Sequence, residues 1–408
     1  MKSSPFEASV TPESATRRPI LIIGGVAGGA SAAARLRRLD EFVPILIIER
    51  GPDVSFANCG LPYYVGGEIE QRDQLAVQTP ASLKALLNLE VRVRTEAVAI
   101  DRSRKIVRVR DLESGEESLL PYEKLILTPG ASPVVPPIPG IDHSSIFTLR
   151  NLQDMDRIVS KAVDAQHALV VGAGFIGLEM AEQLHHIGKK VTVVELQDQV
   201  LPQLDSDMAL PVLKALRSRG IEVYLSDGVN RFESNGNQVS AILQSGIRVE
   251  TDMVLLSIGV RPENQLANTA SLELGERGHI RVNPFMQTSD PDIYAAGDVV
   301  EARCAISGQP SNVPLGGPAN RQGRIIADHI HNPSTALPYP GSIGTAIVRV
   351  FAVAAGITGL NEKRLNELDR KLPVLTVCSY GKMSYFAARI LQQHDFQVRS
   401  FAGGTERF

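Results

Sequence analysis

The sequence predicts an α/β fold built on two parallel, helix-covered sheets, and three observations carry that prediction. Short apolar runs alternate with helical stretches along most of the chain, as βαβ connections require. A strand, glycine turn, helix and second strand follow one another twice, opening once at Ile20 and again at Ala168. The 408 residues leave room for two or three domains.

In the first unit, Ile20–Ile23 reads as a strand, 24–29 as a glycine turn, 30–39 as a helix and Ile45–Ile48 as the next strand. Four consecutive apolar residues suit a strand buried on both faces. In the second unit the strand is 168–171, the turn 172–177, the helix 178–187 and the following strand 191–194. Segments 90–109 and 239–250 read as hairpins. Segment 341–360 alternates Val, Ile and Ala and opens a further β-containing stretch. Beyond it, 364–368 opens a short helix, 374–377 is a strand, 384–394 a helix and 397–401 a strand. The tail is therefore a small βαβ piece.

Bulk properties exclude several classes of function. Net charge is −3, so no electrostatic footprint for nucleic acid or an anionic membrane is present. No apolar run approaches the roughly 20 residues that span a bilayer. The first 18 residues are polar and lack the apolar core of a secretory signal, and they are expected to form a disordered leader. The three cysteines, Cys59, Cys304 and Cys378, are widely spaced, which argues against a disulfide framework and against metal ligation. A cytoplasmic location is expected.

The two turns carry dinucleotide-binding fingerprints. Such turns need glycine where the backbone bends sharply, approaches a pyrophosphate and packs against the strand. The first runs Gly24-Gly25-Val26-Ala27-Gly28-Gly29, with Val26 where the plain pattern has its second glycine. Glu49 lies 20 residues after Gly29, where its carboxylate can accept hydrogen bonds from a ribose; Arg50 follows it. The second turn, Gly172-Ala173-Gly174-Phe175-Ile176-Gly177, is complete, and Glu195 stands 18 residues after Gly177. A carboxylate there bonds a free 2′-hydroxyl and repels a 2′-phosphate, which favours NADH while leaving NADPH open. In each unit the helix N-terminus faces the phosphates.

Two fingerprints in this order, with further motifs between and after them, resemble the FAD-dependent pyridine nucleotide–disulfide oxidoreductases. Leu127-Thr128-Pro129-Gly130-Ala131 is similar to the strand and turn that close the first FAD segment. Ile258-Gly259-Val260-Arg261-Pro262 resembles the return from the NAD domain, and Ile293-Tyr294-Ala295-Ala296-Gly297-Asp298 the second FAD motif. The resemblance implies two Rossmann-like domains, the NAD(P)H-binding domain (151–262) inserted in a discontinuous FAD-binding domain (19–150 and 263–340). It implies FAD and NADH as cofactors and places Gly24, Gly25, Ala27, Gly28, Gly29, Glu49, Arg50, Gly130 and Asp298 at FAD. Gly172, Gly174, Ile176, Gly177, Glu195 and Gly259 fall at the nicotinamide nucleotide.

Ser55-Phe56-Ala57-Asn58-Cys59-Gly60-Leu61-Pro62-Tyr63 resembles the single-cysteine branch of that family: coenzyme A-disulfide reductases, NADH oxidases and peroxidases, and persulfide reductases. Cys59 has no cysteine a few residues away, so no internal dithiol can form. A helix start beside it is expected to lower its thiol pKa. In branch members that reduce peroxide or oxygen, a histidine sits in the first turn; here that position is Ala27, which points to a sulfur substrate. The resemblance implies that Ser31, Arg35, Arg38, Ser55 and Asn58 contact coenzyme A, and the guanidinium forks of Arg35 and Arg38 suit its phosphates.

The similarity changes near the end of the chain. Residues 341–363 resemble the opening of the family's dimerisation domain. From Arg364 the sequence resembles the C-terminal part of a rhodanese domain, with Cys378 as a sulfur carrier. Most of the dimerisation domain and the front of the rhodanese domain are expected to be missing, which puts the family's homodimer in question. Two further readings stay open: a cysteine-independent reductase of an electron-carrier protein, and a catalytically impaired FAD-binding deletion product.

Overall fold

A computed structural model describes residues 17–236, 238–368, 370–371, 373–376 and 382–400. The chain begins with strand β1 (Ile20–Ile23), helix α1 (Ala27–Leu39) and strand β2 (Ile45–Ile48). After helix α2 (Leu61–Val65) come strands β3 (Glu90–Arg92) and β4 (Lys124–Leu127). The middle of the chain supplies β5 (Ile146–Thr148), α3 (Leu152–Asp164), β6 (His167–Val171), α4 (Phe175–His186) and β7 (Lys190–Val194). Helix α5 (Ser206–Ser218), strand β8 (Glu222–Tyr224) and strand β9 (Met253–Leu256) complete that unit. Strand β10 (Ile293–Ala295) and helix α6 (Gly316–His331) return to the first one.

Two five-stranded parallel sheets result, ordered β10-β4-β1-β2-β3 and β5-β9-β6-β7-β8. Every strand of the second sheet falls between β4 and β10 of the first, so the second unit is inserted in the first. The outgoing and returning chains pair antiparallel, Ala131 opposite Pro262 and Pro133 opposite Val260. β1, β2 and β9 are buried at every residue, which is why their sequences are unbroken apolar runs.

Three details differ from the sequence expectation. The helices begin at Ala27 and Phe175, because the later turn residues already adopt helical geometry. Residues Glu90–Arg92 are not part of a hairpin; β3 pairs with β2 as the edge of the first sheet, and the hairpin is Thr95–Asp101 with Ile106–Asp111. Ile146–Thr148, placed before the boundary at 150, pairs with β9 and belongs to the inner sheet. Both misplaced strands have three residues, too few for a period to show.

Helices α1 and α6 cross at close range over the first sheet. A Cβ on Gly323 would lie 2.3 Å from the Gly28 carbonyl oxygen. The C-terminal hairpin, β11 (Ala346–Val350) and β12 (Val353–Ile357), buries Val348, Val350 and Ala355 in the core of the inner unit and leaves Ile347 exposed. Strands β13 (Val374–Thr376) and β14 (Val398–Ser400) pair in parallel across helix α7 (Lys382–Gln393). Cys378 lies outside the described residues.

Because the helix crossing leaves no room for a side chain, Gly323→Val is expected to destabilise the protein by about 2–4 kcal/mol. Urea denaturation of the variant against the parent measures it.

Candidate functional site

The two glycine turns are built alike, each against the end of a neighbouring strand, β4 beside β1 and β9 beside β6. Gly24 has φ +92 and Gly172 has φ +104, both in the region that favours glycine. A Cβ on Gly24 would sit 2.2 Å from the Thr128 carbonyl oxygen, and one on Gly172 would sit 2.5 Å from that of Ser257. The Thr128 hydroxyl donates to the carbonyls of Ile23 (2.9 Å) and Gly24 (2.8 Å). The Ser257 hydroxyl donates to those of Val171 and Gly172, both at 3.0 Å. Each hydroxyl thereby fixes its turn at the point where strand becomes helix. Gly29 and Gly177 close the turns: a Cβ there would meet the oxygens of Gly24 and Gly172 at 1.9 and 2.0 Å.

The acids are held in the same way. Glu49 accepts from the backbone N–H of Gly25 (2.9 Å) and of Gly51 (2.8 Å). Glu195 accepts from those of Ala173 (2.6 Å) and Gln197 (2.8 Å). Burial pushes the Glu49 carboxyl above the usual carboxylate range, against its backbone hydrogen bonds and the charges of Arg150 and Arg50.

One cleft of about 1870 Å³ takes in both turns. Its walls include Gly24, Ala27, Gly28, Ser31, Arg38, Glu49, Arg50, Ser55, Asn58, Cys59, Gly130 and Asp298. They also include Gly172, Gly174, Ile176, Glu195 and Gly259. Gly25, Gly29 and Gly177 do not line it; they act behind the wall through the contacts just described. Arg35 lies instead in an adjoining groove and forms an ion pair with Asp328 at 2.7 Å. Ser31 donates to Asn320 Oδ1 at 2.9 Å, which ties α1 to α6. Arg50 stands 3.4 Å from Glu263 and 3.8 Å from Glu96.

Asp298 follows β10, in a short 3-10 turn whose Gly297 N–H is held by Gln322 Oε1 at 2.8 Å. Its carboxylate faces the cleft and has no hydrogen-bond partner among the described residues. Burial raises its pKa, opposed by the charge of Arg150. A half-buried carboxylate on the cleft wall with no donor from the protein fits a ligand that brings hydroxyl groups.

Cys59 lies in the 3-10 turn Asn58–Gly60 that leads into α2. It is open to the cleft, and its thiol is nonetheless pushed up, by burial among the cleft walls and by the Glu179 carboxylate. The expected lowering by a helix start is not met. Helix α2 has only five residues, too short to develop a strong dipole, and the charge that acts on the thiol is negative.

Several site residues escaped the sequence analysis. Thr128 and Ser257 each close a run of apolar strand residues at the same point of the repeat, a signal visible once β4 and β9 are superimposed. Arg150 donates to Ser132 Oγ (2.8 Å), Glu263 (3.0 Å) and the Pro129 carbonyl (2.8 Å), clasping the two crossing chains between the units. Glu179 lies on α4 and has no local motif. Among the described residues no cluster of His, Cys, Asp and Glu can hold a metal ion, and no helix is long and apolar enough to cross a membrane.

These features define a protein with two dinucleotide cradles and one thiol on a shared cleft. Residues 18–323 match the pyridine nucleotide-disulphide oxidoreductases, and the chain belongs to that family. Among its relatives, the coenzyme A disulfide reductase of Staphylococcus aureus is 34% identical over 359 residues, 88% of this chain and 80% of the relative. The crystal structure of reduced Bacillus anthracis CoADR-RHD is 46% identical, with a TM-score of 0.83 over 86% of this chain. A NAD-dependent persulfide reductase from A. fulgidus is 40% identical, with a TM-score of 0.82 over 86% of this chain. The chain spans 63% and 65% of the lengths of those two structures.

The unpaired Asp298 sets a pH dependence. A carboxyl whose pKa is raised by folding holds its proton more tightly in the native state, so it costs stability as pH rises above the ordinary carboxylate range. Asp298→Asn removes that cost. The ligand-free variant is expected to melt higher than the parent at pH 7 and equally at pH 3, as calorimetry can check.

Proposed function

We propose that this chain is an NADH-dependent flavoenzyme that cleaves sulfur–sulfur bonds of a coenzyme A-linked disulfide or persulfide through Cys59. The observation that carries this reading is the exposure of one thiol on the cleft that also holds both glycine turns. The sulfur-reducing relatives support the substrate class. When bound, FAD would accept hydride from NADH and return the electron pair to sulfur.

The protein's own part is binding and placement. The turn at Gly24 and the N-terminus of α1 receive the FAD pyrophosphate, and Glu49 and Asp298 accept from its hydroxyl groups. The turn at Gly172 receives NADH. Glu195, fixed by two backbone N–H groups, accepts from a 2′-hydroxyl and repels a 2′-phosphate, which selects NADH over NADPH. The Cys59 thiolate attacks one sulfur of the substrate, forms the Cys59–S–S–R bond and expels the other sulfur as a thiolate. Cleavage of that bond by two electrons returns Cys59 and releases the second thiol. Ser55, Asn58, Ser31 and Arg38 line the same cleft as this thiol and are the side chains offered to the substrate. Arg35 can serve a phosphate only by sharing its fork with Asp328.

The segment from Arg364 is read as the end of a rhodanese-like unit, and the parallel pairing of β13 and β14 across α7 supports that reading.

The purified protein, loaded with FAD, is tested with NADH and coenzyme A disulfide or coenzyme A persulfide. Cys59→Ser should keep NADH-driven flavin bleaching and lose at least about 100-fold in sulfur-dependent NADH consumption. Parent-level sulfur turnover by the serine variant would overturn the assignment.

A further inference from the structure

We propose that residues 361–363, which follow the C-terminal hairpin, form a strap that holds the cleft wall beside Glu195, and that Asn361 and Lys363 are positioning residues for the nicotinamide nucleotide. The proposal rests on the reading of the Gly172 turn as the NADH cradle and adds to it residues that act from behind the wall.

The wall is the loop 195–205, which joins β7 to α5. From it, Glu195, Leu196, Gln197, Pro202 and Gln203 line the cleft. The loop is tied to the fingerprint turn at Ala173, whose N–H donates to the Glu195 carboxylate at 2.6 Å and whose carbonyl accepts from the Leu201 N–H at 2.9 Å. That second bond is made in an unfavourable backbone conformation. Leu201 has φ +45, in the left-handed region that a leucine rarely adopts. Its side chain is fully buried with those of Val200 and Leu204 in the core of the inner unit. A conformation of this kind persists only where the surroundings impose it. The buried amide of Gln199 supplies part of the constraint, its Nε2 donating to the carbonyls of Leu201 (3.3 Å) and Leu204 (3.0 Å).

The strap supplies the rest. Asn361 Nδ2 donates to the Gln203 carbonyl at 2.9 Å. The Glu362 N–H donates to the Asp205 carboxylate, at 3.1 and 3.3 Å from its two oxygens. Lys363 Nζ donates to Gln199 Oε1 at 3.0 Å. Three consecutive residues thus hold three residues of the loop, and none of the three lines the cleft. Gln203 belongs to both sides, since it lines the cleft while the strap holds its carbonyl. Asp205 stands at the N-cap of α5, where an aspartate ordinarily accepts from its own helix. Here its side chain makes no capping bond and faces the strap instead.

The strap has its own anchor. The hairpin before it buries Val348, Val350 and Ala355 in the core of the inner unit. Gly359, at φ +76, turns the chain after β12, and its N–H donates to the Ile343 carbonyl at 2.8 Å. A nucleotide that enters beside Glu195 therefore meets a wall already in shape, and less ordering falls on the binding step. Without the strap the loop samples other shapes, and affinity falls with the fraction of time that the wall is formed. The coupling is reciprocal: a nucleotide that prefers the held wall also favours the docked strap.

The test mixes the FAD-loaded protein with NADH under anaerobic stopped-flow conditions. The dependence of flavin bleaching on NADH concentration gives a Kd and a limiting rate. The double variant Asn361→Ala/Lys363→Ala should raise that Kd about three- to tenfold and keep the limiting rate within about twofold of the parent's. Lys363→Arg, which keeps a donor for Gln199, should bind NADH within about twofold of the parent. In the parent, saturating NAD+ should slow hydrogen exchange in the peptide that carries 361–363, as mass spectrometry reads it. A Kd within about twofold of the parent's in the double variant, or strap exchange that NAD+ leaves unchanged, would overturn the proposal. Neither readout needs a sulfur substrate, so a chain that shows both effects and reduces no sulfur compound would sink the functional reading alone.

Discussion

Everything in this molecule hangs on the carbonyl-to-glycine contact at the end of each central strand. At Gly24 and Gly172 the neighbouring strand brings a carbonyl to where any Cβ would stand, and the same two residues need positive φ. That contact lets the chain turn from strand to helix within a few residues, with the helix N–H groups aimed into the cleft. Thr128 and Ser257 secure it, each through one hydroxyl that donates to two carbonyls. The side-by-side placement of two such turns is then set by the pairing of 131–133 with 260–262 and by the Arg150 clasp.

The parts of this plan that were legible in the sequence are those encoded locally. Gly24, Gly29, Gly172 and Gly177 announce the turns because no other residue fits there, and Glu49 and Glu195 stand at fixed distances from them. Buried parallel strands such as Ile20–Ile23 and Met253–Leu256 show as unbroken apolar runs. What was not legible depends on residues far apart in the chain. β3 and β5 are sheet strands only because β2 and β9 pair with them. Arg150 and Glu263, 113 positions apart, look like ordinary surface charges until the chain folds back and joins them.

The surroundings of Cys59 belong to the same category. Its motif is local, and its position on the cleft was readable from that motif. Its acidity was not, because burial among the cleft walls, and after it a carboxylate from α4, push the thiol up. Partial burial and a carboxylate from α4 together outweigh the favourable end of a five-residue dipole.

Under the proposed function, two dinucleotides and one thiol work in a single cleft. An anaerobic titration of the FAD-loaded protein with NADH, followed by addition of coenzyme A disulfide, addresses that claim most directly. The account predicts that NADH bleaches the flavin and that the disulfide restores its colour, with thiol released in proportion. A protein that retains no FAD, or a bleached flavin that coenzyme A disulfide and persulfide both fail to reoxidise, would contradict it.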